Sequence, residues 1–132
     1  MLGAVRRHRM VDVGAAARSI PMTNDCKCAQ IRALNDEFRT TGQGGKIFIT
    51  SGLRNRGDGF LERCFQRMRE FTDFSEDNDP YSEHDFGSFE IEGETIFWKI
   101  DYYDPTMQFA SEDASQPEIT KRVLTVMLAE EY

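Results

Sequence analysis

The chain alternates between stretches of helical period and stretches of period two. In "CKCAQIRALNDEFRTT", Ile31, Leu34 and Phe38 recur at i, i+3 and i+7, which predicts an amphipathic helix. Asn24 or Asp25 is placed to cap it, and Gly42, Gly44 and Gly45 end it. "KIFIT", Lys46 to Thr50, is short and rich in β-formers, so it reads as a strand. "SGLRNRGDG" reads as a loop, with Asp58 placed to cap a second helix. That helix, "FLERCFQRMREFTDF", carries an apolar stripe of Phe60, Cys64, Met68 and Phe71 flanked by Leu61 and Phe65, and is expected to end near Thr72–Ser75.

A polar, proline-interrupted segment, "SEDNDPYSEHD", follows and predicts an irregular loop. Beyond it Phe89 and Ile91 alternate with Ser88, Glu90 and Glu92. After Gly93, Ile96, Trp98, Ile100 and Tyr102 alternate with Phe97, Lys99, Asp101 and Tyr103. Period two on both arms with glycine at the bend is a hairpin, and its second arm, aromatic on both faces, belongs in the middle of a sheet. "DPTMQFASEDASQPEIT" is a long surface connection. "KRVLTVMLAEEY" is β-branched enough to read as a last strand. The sum is an α+β domain with two helices packed on a mainly antiparallel sheet of about four strands.

Length and composition narrow the picture. At 132 residues there is room for one domain and one core. No run approaches the apolar length of a membrane span. Three cysteines, an odd number with no secretory signal, argue against a disulfide framework and for a reducing cytoplasm. Residues 1–21 look unlike the rest: they have no sustained period and hold Arg6, Arg7, Arg9 and Arg18 against one acid, Asp12. They are expected to be disordered or an artefact of start-site assignment, with Met22 the natural start and 22–132 the folded domain.

Candidate chemistry is thin. Glu83, His84 and Asp85 offer a metal-binding or acid–base group, the core of an alternative reading as a small hydrolase or metal-dependent enzyme. Sequence neighbours on extended backbone point apart, however, and no second His/Cys cluster completes a four-ligand site. The expectation is a solvated loop. Cys26-Lys27-Cys28 lacks the two-residue spacer of a zinc knuckle or redox pair, and Cys64 falls on the apolar stripe as a core residue. "SGLRNRGDG" sits where backbone amides often hold phosphate, but lacks the endings of known phosphate or dinucleotide loops. No cofactor is expected, and an enzyme is the lesser reading.

Charge carries the main signal. From Met22 onward there are 12 basic and 22 acidic residues, a formal net of −10. Between Glu70 and Trp98 there is no Lys or Arg and there are ten acids, while Arg54, Arg56, Arg63, Arg67 and Arg69 stand just upstream. Either the two runs neutralise each other across a solvated surface, or Asp73, Glu76, Asp77, Asp79, Glu83 and Asp85 form a docking face for a basic protein or nucleoprotein complex. Direct nucleic-acid binding through the Arg stripe is opposed by the neighbouring acids. A homodimer built on Phe97 and Tyr103 is a third option.

The blocks "IRALNDEFRTT", "GKIFITSG", "EHDFGSFEIEGETIFWKIDYYDP" and "TKRVLTVMLAEEY" resemble a domain-of-unknown-function family of small proteins from alphaproteobacteria and their plasmids and phages, over about residues 28–132. The resemblance implies a bacterial cytoplasmic accessory protein, often carried on mobile DNA. It brings no catalytic residues to transfer. It also favours Met22 as the start.

Overall fold

A computed structural model describes the backbone of residues 21–132 and the side chains from residue 27 onward. Apart from Pro21, the expected N-terminal extension lies outside the described residues, as do the side chains of Asn24, Asp25 and Cys26. Helix α1 spans Pro21–Thr41, strand β1 Gly45–Ile49, a single helical turn α2 Ser51–Arg54 and helix α3 Asp58–Arg69. Strands β2 (Phe86–Ile91), β3 (Glu94–Tyr103) and β4 (Lys121–Leu128) follow, with 3-10 turns at Pro117–Ile119 and Ala129–Glu131.

The four strands form one sheet in the order β1-β4-β3-β2. β2 and β3 pair antiparallel, β3 and β4 pair antiparallel, and β1 joins β4 in parallel. The architecture is α+β with one core, and the long aromatic arm β3 is interior as its pattern predicts. The β2–β3 bend has two residues between the paired Ile91 and Glu94. Both take positive φ, 53° at Glu92 and 82° at Gly93, the tight turn whose twist matches the strands it joins.

Alternation on the strands becomes burial. Phe89, Ile91, Ile96, Trp98, Ile100, Tyr102, Leu124, Val126 and Leu128 meet Ile31 and Phe38 of α1 and Phe60, Cys64 and Met68 of α3. Each fully buried side chain of this size contributes roughly 1.5–3 kcal/mol. Trp98 lies so close to the backbone of Gly87 that a Cβ there would overlap the indole ring.

Local details depart from the pattern. α1 is already helical at Pro21, so Asn24 and Asp25 lie within the helix rather than at its cap. Its buried stripe is Ile31, Asn35, Phe38 and Arg39, with Leu34 only half-buried. "SGLRNRGDG" contains the turn α2, which plants Leu53 in the core. Gly57 is the N-cap of α3 and Asp58 its first residue, so Asp58 faces the positive end of the helix without capping it. α3 stops at Arg69 because Phe71 and Phe74 turn back onto Trp98, at ring separations of 5.7 and 6.1 Å.

Candidate functional site

The segment between α3 and β2 carries six proposed contact residues, and the structure divides them. Asp73, Glu76 and Asp77 are exposed, whereas Asp79, Glu83 and Asp85 are buried, the last two at 1% and 2% exposure. The expectation of a solvated loop is therefore wrong for its second half. Three buried carboxylates cannot form part of a docking surface.

The first half is a built turn. Asn78 accepts from the Ser75 amide at 2.9 Å and donates to the Asp73 carbonyl at 3.0 Å, and the Asp79 amide closes on the Ser75 carbonyl at 2.8 Å. Phe74 pins it from below, edge-on to Phe71 and stacked on His84 at 3.7 Å between centroids. The carboxylates of Asp73, Glu76 and Asp77 enter no ion pair or side-chain hydrogen bond among the described residues.

The second half wraps around Asp79. Its carboxylate accepts the consecutive amides of Glu83 at 3.0 Å and His84 at 3.2 Å. Gathering both amides on one acceptor curls the chain, and Ser82 and His84 take positive φ, 56° and 55°. Such backbone costs about 1–3 kcal/mol per residue and persists only where the surroundings impose it. Here the surroundings are a polar network. Asn35 donates to the Glu83 carbonyl at 3.0 Å and to the Tyr102 hydroxyl at 2.6 Å, and accepts from Arg122 Nε at 2.8 Å. Tyr102 in turn donates to Glu83 Oε1 at 3.2 Å. The Arg122 guanidinium lies over the Tyr102 ring and donates to the Ala114 carbonyl. Network members thus come from α1, the loop, β3 and β4.

On the partly open side, Asp36 bridges His84 Nδ1 at 2.9 Å and Arg39 at 3.1 Å. Arg39 also donates to the carbonyls of Met68 and Phe71, serving the C-terminal end of α3. His84 Nε2 faces Asp79 at 3.8 Å. With a carboxylate at each nitrogen and a phenyl ring against its face, the imidazole acts as a latch between α1 and the loop. Glu83 turns inward to Tyr102, so the triplet Glu83-His84-Asp85 does not converge. No group of three or more His, Cys, Asp or Glu among the described residues is arranged to hold a metal.

The remaining motifs resolve too. The amide of Gly52, at the start of α2, donates to the carboxylate of Glu131 at 2.9 Å, and the Thr50 hydroxyl bonds the same group. The amide that a phosphate could have used is taken by the chain's own Glu131. The Thr50 hydroxyl, joined by the Leu128 and Gly52 amides, lowers the Glu131 pKa against the opposing effect of burial. Burial pushes the Cys64 thiol up to about 11, against the nearby Arg63 and Arg67, leaving it inert at neutral pH. Arg56 pairs with Glu94, Arg63 pairs with Glu92, and Arg67 donates to the Glu90 carbonyl, so the hairpin neutralises two of the five arginines of the stripe and binds a third. Phe97 packs against Phe86 and Tyr132, and both Phe97 and Tyr103 are half-buried. Sequence reasoning missed Asn35, Asp36, Arg39 and Arg122. Asn35 and Arg39, a turn apart on the apolar face of α1, were the signal available.

The fold and the network define an α+β domain with an acidic loop anchored on buried polar side chains. Residues 49–131 match the family model described as Protein of unknown function (DUF3768), and the chain belongs to that family. The match includes Glu83, His84, Asp85, Tyr102 and Arg122, and begins after the α1 residues that complete the network. No curated protein and no solved structure matches the chain. No described helix is long and apolar enough to cross a membrane.

Proposed function

We propose that the protein acts by binding, with Asp73, Glu76 and Asp77 as a docking face for a basic protein or nucleoprotein complex. The observation that carries this reading is the contrast in pairing. Glu92 and Glu94 are neutralised by Arg63 and Arg56, while the three loop carboxylates are exposed and unpaired among the described residues. A tight turn presents them, which limits the ordering cost of association. Asp79, Glu83 and Asp85 serve as the foundation of that face. The setting implied by the resemblance, a cytoplasmic accessory protein of alphaproteobacterial mobile elements, suits a protein that acts on a partner. The enzyme alternative at Glu83, His84 and Asp85 has less support, because the first and last are buried and the imidazole is held between two carboxylates.

The test is affinity capture by the tagged full chain at low and high salt, beside the variant Asp73→Lys/Glu76→Lys/Asp77→Lys. The expected result is a stoichiometric basic partner that is lost at high salt and lost again in the variant, whose melting temperature stays unchanged. Equal capture of that partner by the variant rules the loop out.

A further inference from the structure

We propose a second binding site, for a small polyanion, in the cavity at the start of β1 and β4. The cavity has a volume of about 570 Å³, within the range of small-molecule sites. Its charged lining is Lys46, Lys121 and Arg122, with no carboxylate among the lining residues. In a chain of formal net charge −7, an all-cationic lining stands out. The grooves between α3 and β2 differ: they hold Arg63 and Arg67 together with Glu70, Glu90 and Glu92, and two of those charges already pair with each other.

The strand register explains why the lysines meet. Lys46 is paired with Val123 in the parallel ladder, and Lys121 lies two residues before Val123 on β4. Both lysines therefore project from the same face, roughly 8 Å apart by strand spacing and rise. Arg122, between Lys121 and Val123 in sequence, turns to the opposite face. Its guanidinium is held by Asn35 and Ala114 on the buried side, so the two lysines carry the ligand-facing charge. Lys46 and Lys121 are exposed and enter no ion pair among the described residues.

The walls restrict what fits. Pro105, Met107 and Pro117 supply an apolar rim, and Gly44 and Gly45 let bare backbone form one side. The acid beside the Pro105 rim is committed elsewhere. Asp104 accepts the Thr106 hydroxyl at 2.8 Å and the amides of Gln108 and Phe109 in its own turn, and with Glu112 it lines a separate cavity. Two flexible lysine side chains rooted at this backbone separation can converge on an anion with two charged centres and a modest apolar body: an organic diphosphate or an oligocarboxylate. Lysine binds such groups as a point charge and so accepts either.

Amide chemical shifts of the full chain, followed by NMR at constant ionic strength, test this with inorganic pyrophosphate and, separately, with citrate. The expected result is saturable shifts confined to Gly44–Lys46 and Thr120–Arg122 with a dissociation constant of about 1 mM or tighter. In Lys46→Gln/Lys121→Gln the affinity drops at least about tenfold, while the rest of the spectrum is unchanged. Saturation by pyrophosphate alone assigns the site to phosphates, and saturation by citrate alone assigns it to carboxylates. Shifts that do not saturate with either anion, or that spread equally to Arg54 and Arg69, overturn the proposal for both. This site is independent of the acidic loop, so neither test decides the other.

Discussion

The segment from Asp73 to Asp85 divides at Asn78 into two halves of similar composition and opposite fate. Before Asn78, Asp73, Glu76 and Asp77 face solvent without partners among the described residues. After it, Asp79, Glu83 and Asp85 are buried, and Asp79 is spent on the chain's own amides. Charge density alone does not separate the halves. What separates them is what lies beneath: the second half runs over Asn35, Tyr102 and Arg122, which offer donors and acceptors to a buried chain. A carboxylate enters a core only where hydrogen bonds replace its water. The same residue type therefore builds a surface in one half and a scaffold in the other.

Breaking the scaffold has the largest expected effect. Asn35→Leu keeps the number and branching of side-chain heavy atoms but removes the donor to the Glu83 carbonyl and Tyr102, and the acceptor for Arg122 Nε. The expected loss is about 2–4 kcal/mol of unfolding free energy, read as a lower urea midpoint at constant slope. Neutralising the other half, with Asp73→Asn, Glu76→Gln and Asp77→Asn together, is expected to stay within about 0.5 kcal/mol of the parent. Equal effects from the two variants would erase the distinction between scaffold and surface.

Much of the fold was legible because its signals are local. Period two in Phe89–Ile91 and Ile96–Tyr102, with glycine between, leaves little besides a hairpin, and the β-branched run from Val123 pairs as a strand. Element ends were less legible, since they depend on remote partners: α3 stops where Arg39 and Trp98 gather its last turn. Parallel pairing of β1 with β4 is likewise a long-range choice with no local mark. The candidate site was legible in position and illegible in depth. The segment from Asp73 to Asp85 was singled out by charge, but its burial is set by Asn35 and Arg122, 48 and 39 positions from Glu83 in the sequence. A polar residue on an apolar helical face, such as Asn35 between Ile31 and Phe38, was the one early sign of a buried network.

A smaller effect sharpens the comparison from the backbone side. Ser82 is exposed yet held at a φ of 56° by the amides gathered on Asp79. Glycine adopts that region without the Cβ penalty of about 1–2 kcal/mol, although it loses more chain entropy on folding. Ser82→Gly is therefore expected to gain about 0.5–1 kcal/mol, seen as a raised urea midpoint. A loss of stability would mean that the curl around Asp79 is not imposed by the scaffold.

The least effect is expected at the C-terminal latch, where a carboxylate is committed to the chain's own groups at the surface. Glu131 holds the Thr50 hydroxyl and the amides of Gly52 and Leu128, and these lower its pKa below the ordinary 4.5. The folded protein then binds this proton less readily than the unfolded chain does. The latch contributes stability above the ordinary glutamate value and loses it as pH falls through the lower folded value. Because the group is solvent-exposed, the contribution is small and screened. Glu131→Gln should lower the melting temperature slightly at pH 7, and the gap to the parent should close under acid. A gap that stays constant from pH 7 down to about pH 2 would place the contribution in side-chain packing, and the carboxylate would then be no more than a surface charge, like those of Asp73, Glu76 and Asp77.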